Sequence, residues 1–165
     1  MSSKKHPLWH NFFRPQGDRL SEVTDLWMDT PLFESIPHRK CRELVNNMHP
    51  RQYIKGEKVF SAGDIGTSVV LIRSGGVEIM AGEKLLAELV TGDFFGEVAL
   101  VIDEPRTADA IATEDSELIF FLRSDLEEWI QRSPQDGARF MLNIARVLAA
   151  RLRHTNILMS LQGEH

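Results

Sequence analysis

The sequence predicts an α+β fold: an antiparallel β jelly-roll barrel (a double-stranded β-helix) flanked by N-terminal helices and a long C-terminal helix. Three observations predict it. Between residues 52 and 122 the chain runs as short β-rich segments separated by glycine turns, the pattern of antiparallel strands. On either side, apolar residues fall at helical spacing. One helical-looking stretch, at 97–100, interrupts the strands, and in a jelly roll it would lie at the cavity mouth.

The 165 residues, 42% of them hydrophobic, suffice for one core with appendages. With 19 basic and 24 acidic side chains the net charge is −5, which argues against bulk attraction to duplex DNA or an anionic membrane. Cys41 is the single cysteine, so no internal disulfide forms and a reducing compartment is implied. There is no apolar run of about 18 residues and no apolar signal stretch at the N-terminus, so a soluble cytoplasmic protein is expected.

Residues 1–30 form an N-terminal extension with an aromatic cluster, Trp9, Phe12 and Phe13, and a break at Pro15-Gln16-Gly17. Leu20, Val23, Leu26 and Trp27 then fall at helical spacing. The main domain spans 31–165. Its helical opening (31–51) includes a helix over 36–45, with Ser35 as cap before Pro37 in the first turn. Within 52–122, strands are expected at 57–61, 68–74, 76–80, 84–89, 108–112 and 116–122. Turns fall at Ala62-Gly63-Asp64-Ile65-Gly66, Ser74-Gly75-Gly76, Ala81-Gly82 and Thr91-Gly92-Asp93. None of these strands carries a histidine, unlike the metal-binding barrels of cupin enzymes.

Helices return over 123–165. Ser124 precedes an acidic first turn as a cap, and Ser133-Pro134 opens a long helix over about 135–161. On it Met141, Ala145, Leu148, Leu152, Thr155 and Met159 alternate at spacings of four and three, the seam of a coiled-coil pair. Phe140, Ile144, Val147 and Leu158 form a stripe beside it. Two stripes imply two partners, the chain's own barrel and the same helix of a second subunit in a homodimer. One wide face buried against the barrel is the simpler alternative.

The chemistry concentrates in 92–108. Gly96 lets the backbone approach a ligand, and Glu97, Val98, Ala99 and Leu100 can form one helical turn whose first amides point at an anion. Arg106 offers a charged planar fork for phosphate oxygens, Pro105 fixes the backbone before it, and Glu97 offers an acceptor to sugar hydroxyls. A surface Arg106–Glu97 pair, worth about 0–1 kcal/mol, is the plain alternative. No catalytic arrangement accompanies these residues. His6, His10, His38, His49 and His154 show no zinc or metalloprotease spacing. Cys41 stands on a basic stretch, Arg39-Lys40-Cys41-Arg42, either mildly activated or simply a small core residue. No enzyme is expected.

Gly-Glu-Val-Ala-Leu at 96–100, then five residues, then Arg-Thr-Ala at 106–108, resembles the phosphate-binding cassette of the cyclic nucleotide-binding domain family. That family includes the bacterial catabolite activator and the regulatory subunits of cyclic-AMP-dependent kinase. The resemblance implies that Glu97 bonds the ribose 2′-hydroxyl and Arg106 the cyclic phosphate. It assigns the amides of Ala99, Leu100 and Thr107 to the cradle, with Val98 and Ala108 in the same stretch. Leu152-Arg153-His154-Thr155-Asn156 is similar to the part of the family's long helix that sets a threonine and a small polar residue against adenine, which implies base contacts from Thr155 and Asn156. A helical threonine can equally bond its own preceding turn.

Thr107 resembles cyclic-GMP-preferring members, whereas Thr155-Asn156 leans toward adenine, so cyclic AMP is favoured over cyclic GMP as ligand, with no cofactor. The family's output domains follow this helix. The sequence given ends at His165 without room for a helix-turn-helix, so no direct DNA binding is expected, and action through an unknown protein effector is; the net charge and the lack of an apolar span leave no membrane binding expected either. The aromatic N-terminal segment is the candidate contact surface. In this scheme a bound cyclic phosphate pins an otherwise mobile Arg106 together with the amides of 96–100 and lets the base draw the long helix down. The alternative is a ligand-free interaction or scaffold domain of the same fold.

Overall fold

Two antiparallel four-stranded sheets face each other in the computed structural model, which describes residues 16–162, with side chains from residue 18. Trp9, Phe12 and Phe13 lie outside the described residues. The strands are β1 (His49–Tyr53), β2 (Lys58–Phe60), β3 (Ser68–Ser74), β4 (Gly76–Ala81), β5 (Lys84–Val90), β6 (Phe94–Phe95), β7 (Asp109–Ala112) and β8 (Ser116–Leu122). Their orders, β1-β8-β3-β6 and β2-β7-β4-β5, mix distant parts of the chain in each sheet, as the jelly-roll expectation requires.

The helices are α1 (Gln16–Met28), α2 (His38–Val45), α3 (Arg123–Arg132) and α4 (Pro134–Gln162), with 3-10 turns at Pro31–Phe33 and Glu97–Leu100. None of the described helices is long and apolar enough to cross a membrane. They cover the outer face of the first sheet. Strand alternation sorts side chains into two cores: Val70, Ile72 and Leu118 face the second sheet, while Val69, Leu71, Ile119 and Phe121 face the helices. β3 is therefore buried on both faces, which explains its unbroken apolar run.

Trp27 of α1 is fully buried and packs on Phe33, Phe94 and Phe121, with ring centroids 5.9, 6.5 and 6.3 Å away. α1 thus shares one core with the residues after position 31. Its first half is seated by charge. Arg73 on β3 donates to Glu117 on β8 and, at 2.8 Å, to Glu22 of α1, while Arg19 of α1 donates to Glu117. From α4, Asn143 Nδ2 donates to the carbonyls of Leu32 and Glu34, both at 2.9 Å, tying the long helix to the first 3-10 turn. Cys41 is fully buried, and burial pushes its thiol up to about 12, which removes the activated-thiol reading.

Several expectations are corrected. Ser35 does not cap α2: it adopts φ +62° in the tight link from the 3-10 turn, and α2 starts at His38 behind Pro37. Ser124 lies inside α3, whose N-cap is Leu122. α4 does begin after Ser133, whose carbonyl accepts the Gly137 amide at 2.8 Å. β1 and the two-residue β6 were not anticipated, and β1 places His49 on a strand, 3.9 Å from Asp125 of α3.

Candidate functional site

The turn at Val90–Asp93 delivers the site. Asp93 Oδ2 accepts the Val90 amide at 2.9 Å, and Gly92 and Asp93 exchange backbone bonds with Ile72 on β3. Phe94 and Phe95 then pair with β3, and the chain turns at Gly96, whose φ of +79° favours glycine. A Cβ there would stand 2.6 Å from Arg106 Nη1. Glycine is thus needed to let Arg106 close on the backbone. Glu97–Leu100 form the predicted helical turn, of 3-10 type. Its Ala99 amide donates to Gly96 O at 3.1 Å, so one amide assigned to the cradle is engaged within the turn. Arg123, at the head of α3, holds the far end through the carbonyls of Ala99 (3.3 Å) and Ile102 (3.0 Å) and through Asp103 (3.2 Å).

Arg106 is aimed by protein groups alone. Its backbone is pinned to the 62–66 turn: its amide donates to Asp64 O at 2.7 Å and its carbonyl accepts from Gly63 at 2.8 Å. Asp109 steadies that turn by accepting the Ala62 amide at 2.7 Å and Lys58 Nζ at 2.9 Å, and these bonds, the backbone one foremost, hold its carboxyl below the usual range. The guanidinium donates to Gly96 O (3.2 Å) and Ser68 O (2.8 Å) and lies 4.3 Å from the Phe60 ring centroid. Burial pulls its pKa below the ordinary arginine value, against the opposing pull of Glu97 and Asp64. The expectation of a mobile Arg106 is corrected: two carbonyls and an aromatic face already fix it.

Glu97 pairs with Arg151 of α4, the partner that sequence reasoning missed. It is only 3% exposed, its Oε1 accepts from Arg151 Nη1, and its Oε2 is buried with no hydrogen-bond partner. Arg151 also donates to Phe94 O at 3.3 Å and stacks 5.1 Å from the Phe94 ring centroid. Phe94 in turn touches Trp27, so the site, α4 and α1 meet through one ring.

These groups border one cavity of about 1010 Å³. Of the predicted site residues, Gly96, Glu97, Val98, Ala99, Arg106, Thr107, Ala108 and Thr155 line it. Leu100 instead belongs to the helix-side core, and Asn156 is exposed on α4 away from the cavity. Thr155 reaches the rim, but its hydroxyl donates to Arg151 O at 3.0 Å. Arg151 and His154 line the cavity without having been anticipated. Among the described residues, no three histidine, cysteine or carboxylate side chains are grouped to hold a metal ion.

On the predicted seam, Met141 and Leu148 pack partly on the core, while Ala145, Leu152, Thr155 and Met159 are exposed. Phe140, Ile144 and Val147 of the second stripe are buried, but Leu158 is exposed.

Fold and cavity define a jelly-roll ligand-binding domain with a preformed guanidinium and a half-satisfied buried carboxylate. The chain belongs to the cyclic nucleotide-binding domain family, whose model matches residues 50–133. It is 32% identical over 137 residues to the cyclic AMP receptor protein of Thermus thermophilus, covering 80% of this chain and 62% of that protein. It is 36% identical over 98 residues to the cAMP-dependent protein kinase regulatory subunit of Mycosarcoma maydis, covering 55% of this chain and 19% of that one. The crystal structure of the Thermus thermophilus catabolite activator protein superposes with a TM-score of 0.71 at 32% identity, over 81% of this chain and 63% of that one. The chain thus spans less than two thirds of each of these relatives.

Proposed function

We propose that the domain binds one cyclic mononucleotide, cyclic AMP ahead of cyclic GMP, and passes occupancy to α4 and thence to a protein effector or a second subunit. The observation that carries this reading is the Glu97 carboxylate, held by Arg151 through one oxygen and left with a buried, unpartnered second oxygen. A buried acceptor gains most from a donor that completes it. A ribose 2′-hydroxyl is such a donor, and a cyclic phosphate is the anion that suits Arg106. A simple anion would satisfy Arg106 while repelling Glu97. Because Arg151 shares Glu97 with the proposed sugar, ligand and α4 are coupled, with a coupling free energy of about 1–3 kcal/mol typical of such pairs of sites.

Isothermal titration with cyclic AMP and cyclic GMP tests this. Saturable binding is expected, and no heat with either nucleotide would overturn the reading. Glu97→Gln should weaken binding by about two- to twelvefold, one neutral hydrogen bond's worth. That difference should vanish for the 2′-deoxy nucleotide, and its persistence there would remove Glu97 from the sugar.

The exposed end of α4 supports self-association. Leu152 and Met159 are 61% and 65% exposed on the heptad-spaced stripe, an apolar surface that a second α4 would cover. Light scattering should find a dimer that Leu152→Glu with Met159→Glu converts to monomer. A monomeric wild-type protein would refute the seam.

A further inference from the structure

We propose that Asp109 is a positioning residue of the nucleotide site, whose carboxylate grips both ends of a short edge strand and so presets Arg106 without bonding to it. The inference rests on the nucleotide reading above and deepens it. β2 carries Phe60, the ring that faces the Arg106 guanidinium, and leads into the 62–66 turn that holds the Arg106 backbone. Yet β2 is three residues long, lies at the edge of its sheet, and pairs with β7 at Lys58 and Phe60 with a register shift between them. Ahead of β2 the pairing is closed by backbone bonds, from Gly56 N to Ala112 O at 2.7 Å and from Ala112 N to Glu57 O at 2.9 Å. Past Phe60 the ladder stops, and the Asp109 side chain takes its place. Its Oδ1 accepts the Ala62 amide at 2.7 Å and its Oδ2 accepts Lys58 Nζ at 2.9 Å, so the two oxygens hold the chain on either side of Phe60.

The clamp needs a carboxylate. An ionised aspartate accepts at both oxygens, whereas an asparagine offers one acceptor and turns an amino group toward the other partner. Asp109 does not line the cavity, and its side chain is 24% exposed, so it has no direct part in holding a ligand. Its route to the ligand runs through Phe60 and through the turn, where Asp64 O accepts the Arg106 amide at 2.7 Å and Gly63 N donates to the Arg106 carbonyl at 2.8 Å. Loosening β2 releases the aromatic face and the backbone support together. The ligand must then order the guanidinium as it binds, which lowers affinity.

The test is a double-mutant cycle of Asp109→Ala with Arg106→Ala, read by titration calorimetry with cyclic AMP and cyclic GMP. Beside it, the Arg106 Nε–H resonance is followed in each nucleotide-free protein that retains this arginine. In the wild-type background Asp109→Ala should weaken binding about three- to tenfold, within the ordering cost of one long side chain. In the Arg106→Ala background it should cause no further loss, because the group it positions is gone. Asp109→Asn keeps an acceptor for the Ala62 amide and should fall between Asp109→Ala and the wild type. The free-protein Nε–H resonance should move toward that of a solvated arginine in Asp109→Ala, and less far in Asp109→Asn. Equal losses in the two backgrounds would make Asp109 a general structural residue and overturn the proposal, as would wild-type affinity in Asp109→Ala or an unmoved Nε–H resonance. If the wild type bound neither nucleotide, the nucleotide reading would fall, and the Nε–H resonance would still decide whether Asp109 orients the guanidinium.

Discussion

Arg106→Ala is expected to weaken cyclic mononucleotide binding by about ten- to 150-fold while leaving a cooperative unfolding transition. A guanidinium has five N–H donors, and two of its nitrogens are engaged with the Gly96 and Ser68 carbonyls. Those bonds and the Phe60 face set the plane of the fork before any ligand arrives, so little orientational freedom remains to be lost on binding. The bond lost in the variant is charge-assisted, about 1.5–3 kcal/mol, which gives the stated factor. The two carbonyl bonds lost with it concern the folded state alone and should lower the unfolding temperature modestly. Arg106→Lys should fall close to the alanine variant, because a single ammonium cannot span both carbonyls and an anion. Calorimetry beside thermal denaturation separates the effects. Affinity within twofold of the wild type in Arg106→Ala would place the phosphate elsewhere.

The features legible in the sequence are those whose physics is local. Gly96 to Leu100 and Pro105 to Ala108 lie within one stretch, so their helical turn and the nearby arginine could be anticipated from neighbours alone. β3, β4 and β5 are bounded by glycine turns, and β8 carries a continuous apolar run from Leu118 to Leu122. β1 was missed because His49-Pro50-Arg51-Gln52-Tyr53 is a polar edge strand with one buried residue, and it lacks the alternation that marks a half-buried strand. Arg151 was missed for a different reason: on an exposed helix an arginine resembles any solvated charge, and its partner Glu97 is 54 residues away. The same holds for Arg73 and Glu117, 44 residues apart in sequence and joined only by the pairing of β3 with β8. Long-range ion pairs leave no spacing to detect. Thr155 shows the reverse limit, since its position near the cavity was suggested by the motif, but the commitment of its hydroxyl to its own helix is visible only in the structure.

Glu117→Leu should be the most destabilising single change at the α1 seat, at about 3–5 kcal/mol, the usual cost of removing one member of a buried pair. Glu117 is 1% exposed and takes both Arg73 and Arg19, and the Arg73 side chain is itself only 6% exposed. Without Glu117, Arg73 keeps Glu22 alone for its charge, while its Nε already lacks a partner. The loss follows from stranding a cation, because a buried pair gains little over apolar packing of the same volume. Arg73→Met with Glu117→Leu should therefore recover most of the lost stability, although Arg19 then loses its bond to Glu117 and Glu22 its bond to Arg73. Urea unfolding at constant m-value measures both variants. The same network seats the helix that carries Trp27 against Phe94, the ring under Arg151, so nucleotide affinity should fall in the single variant and return with stability in the double. A single variant within 1 kcal/mol of the wild type would mean that water reaches Arg73, and a double variant as unstable as the single would mean that the charges themselves orient α1.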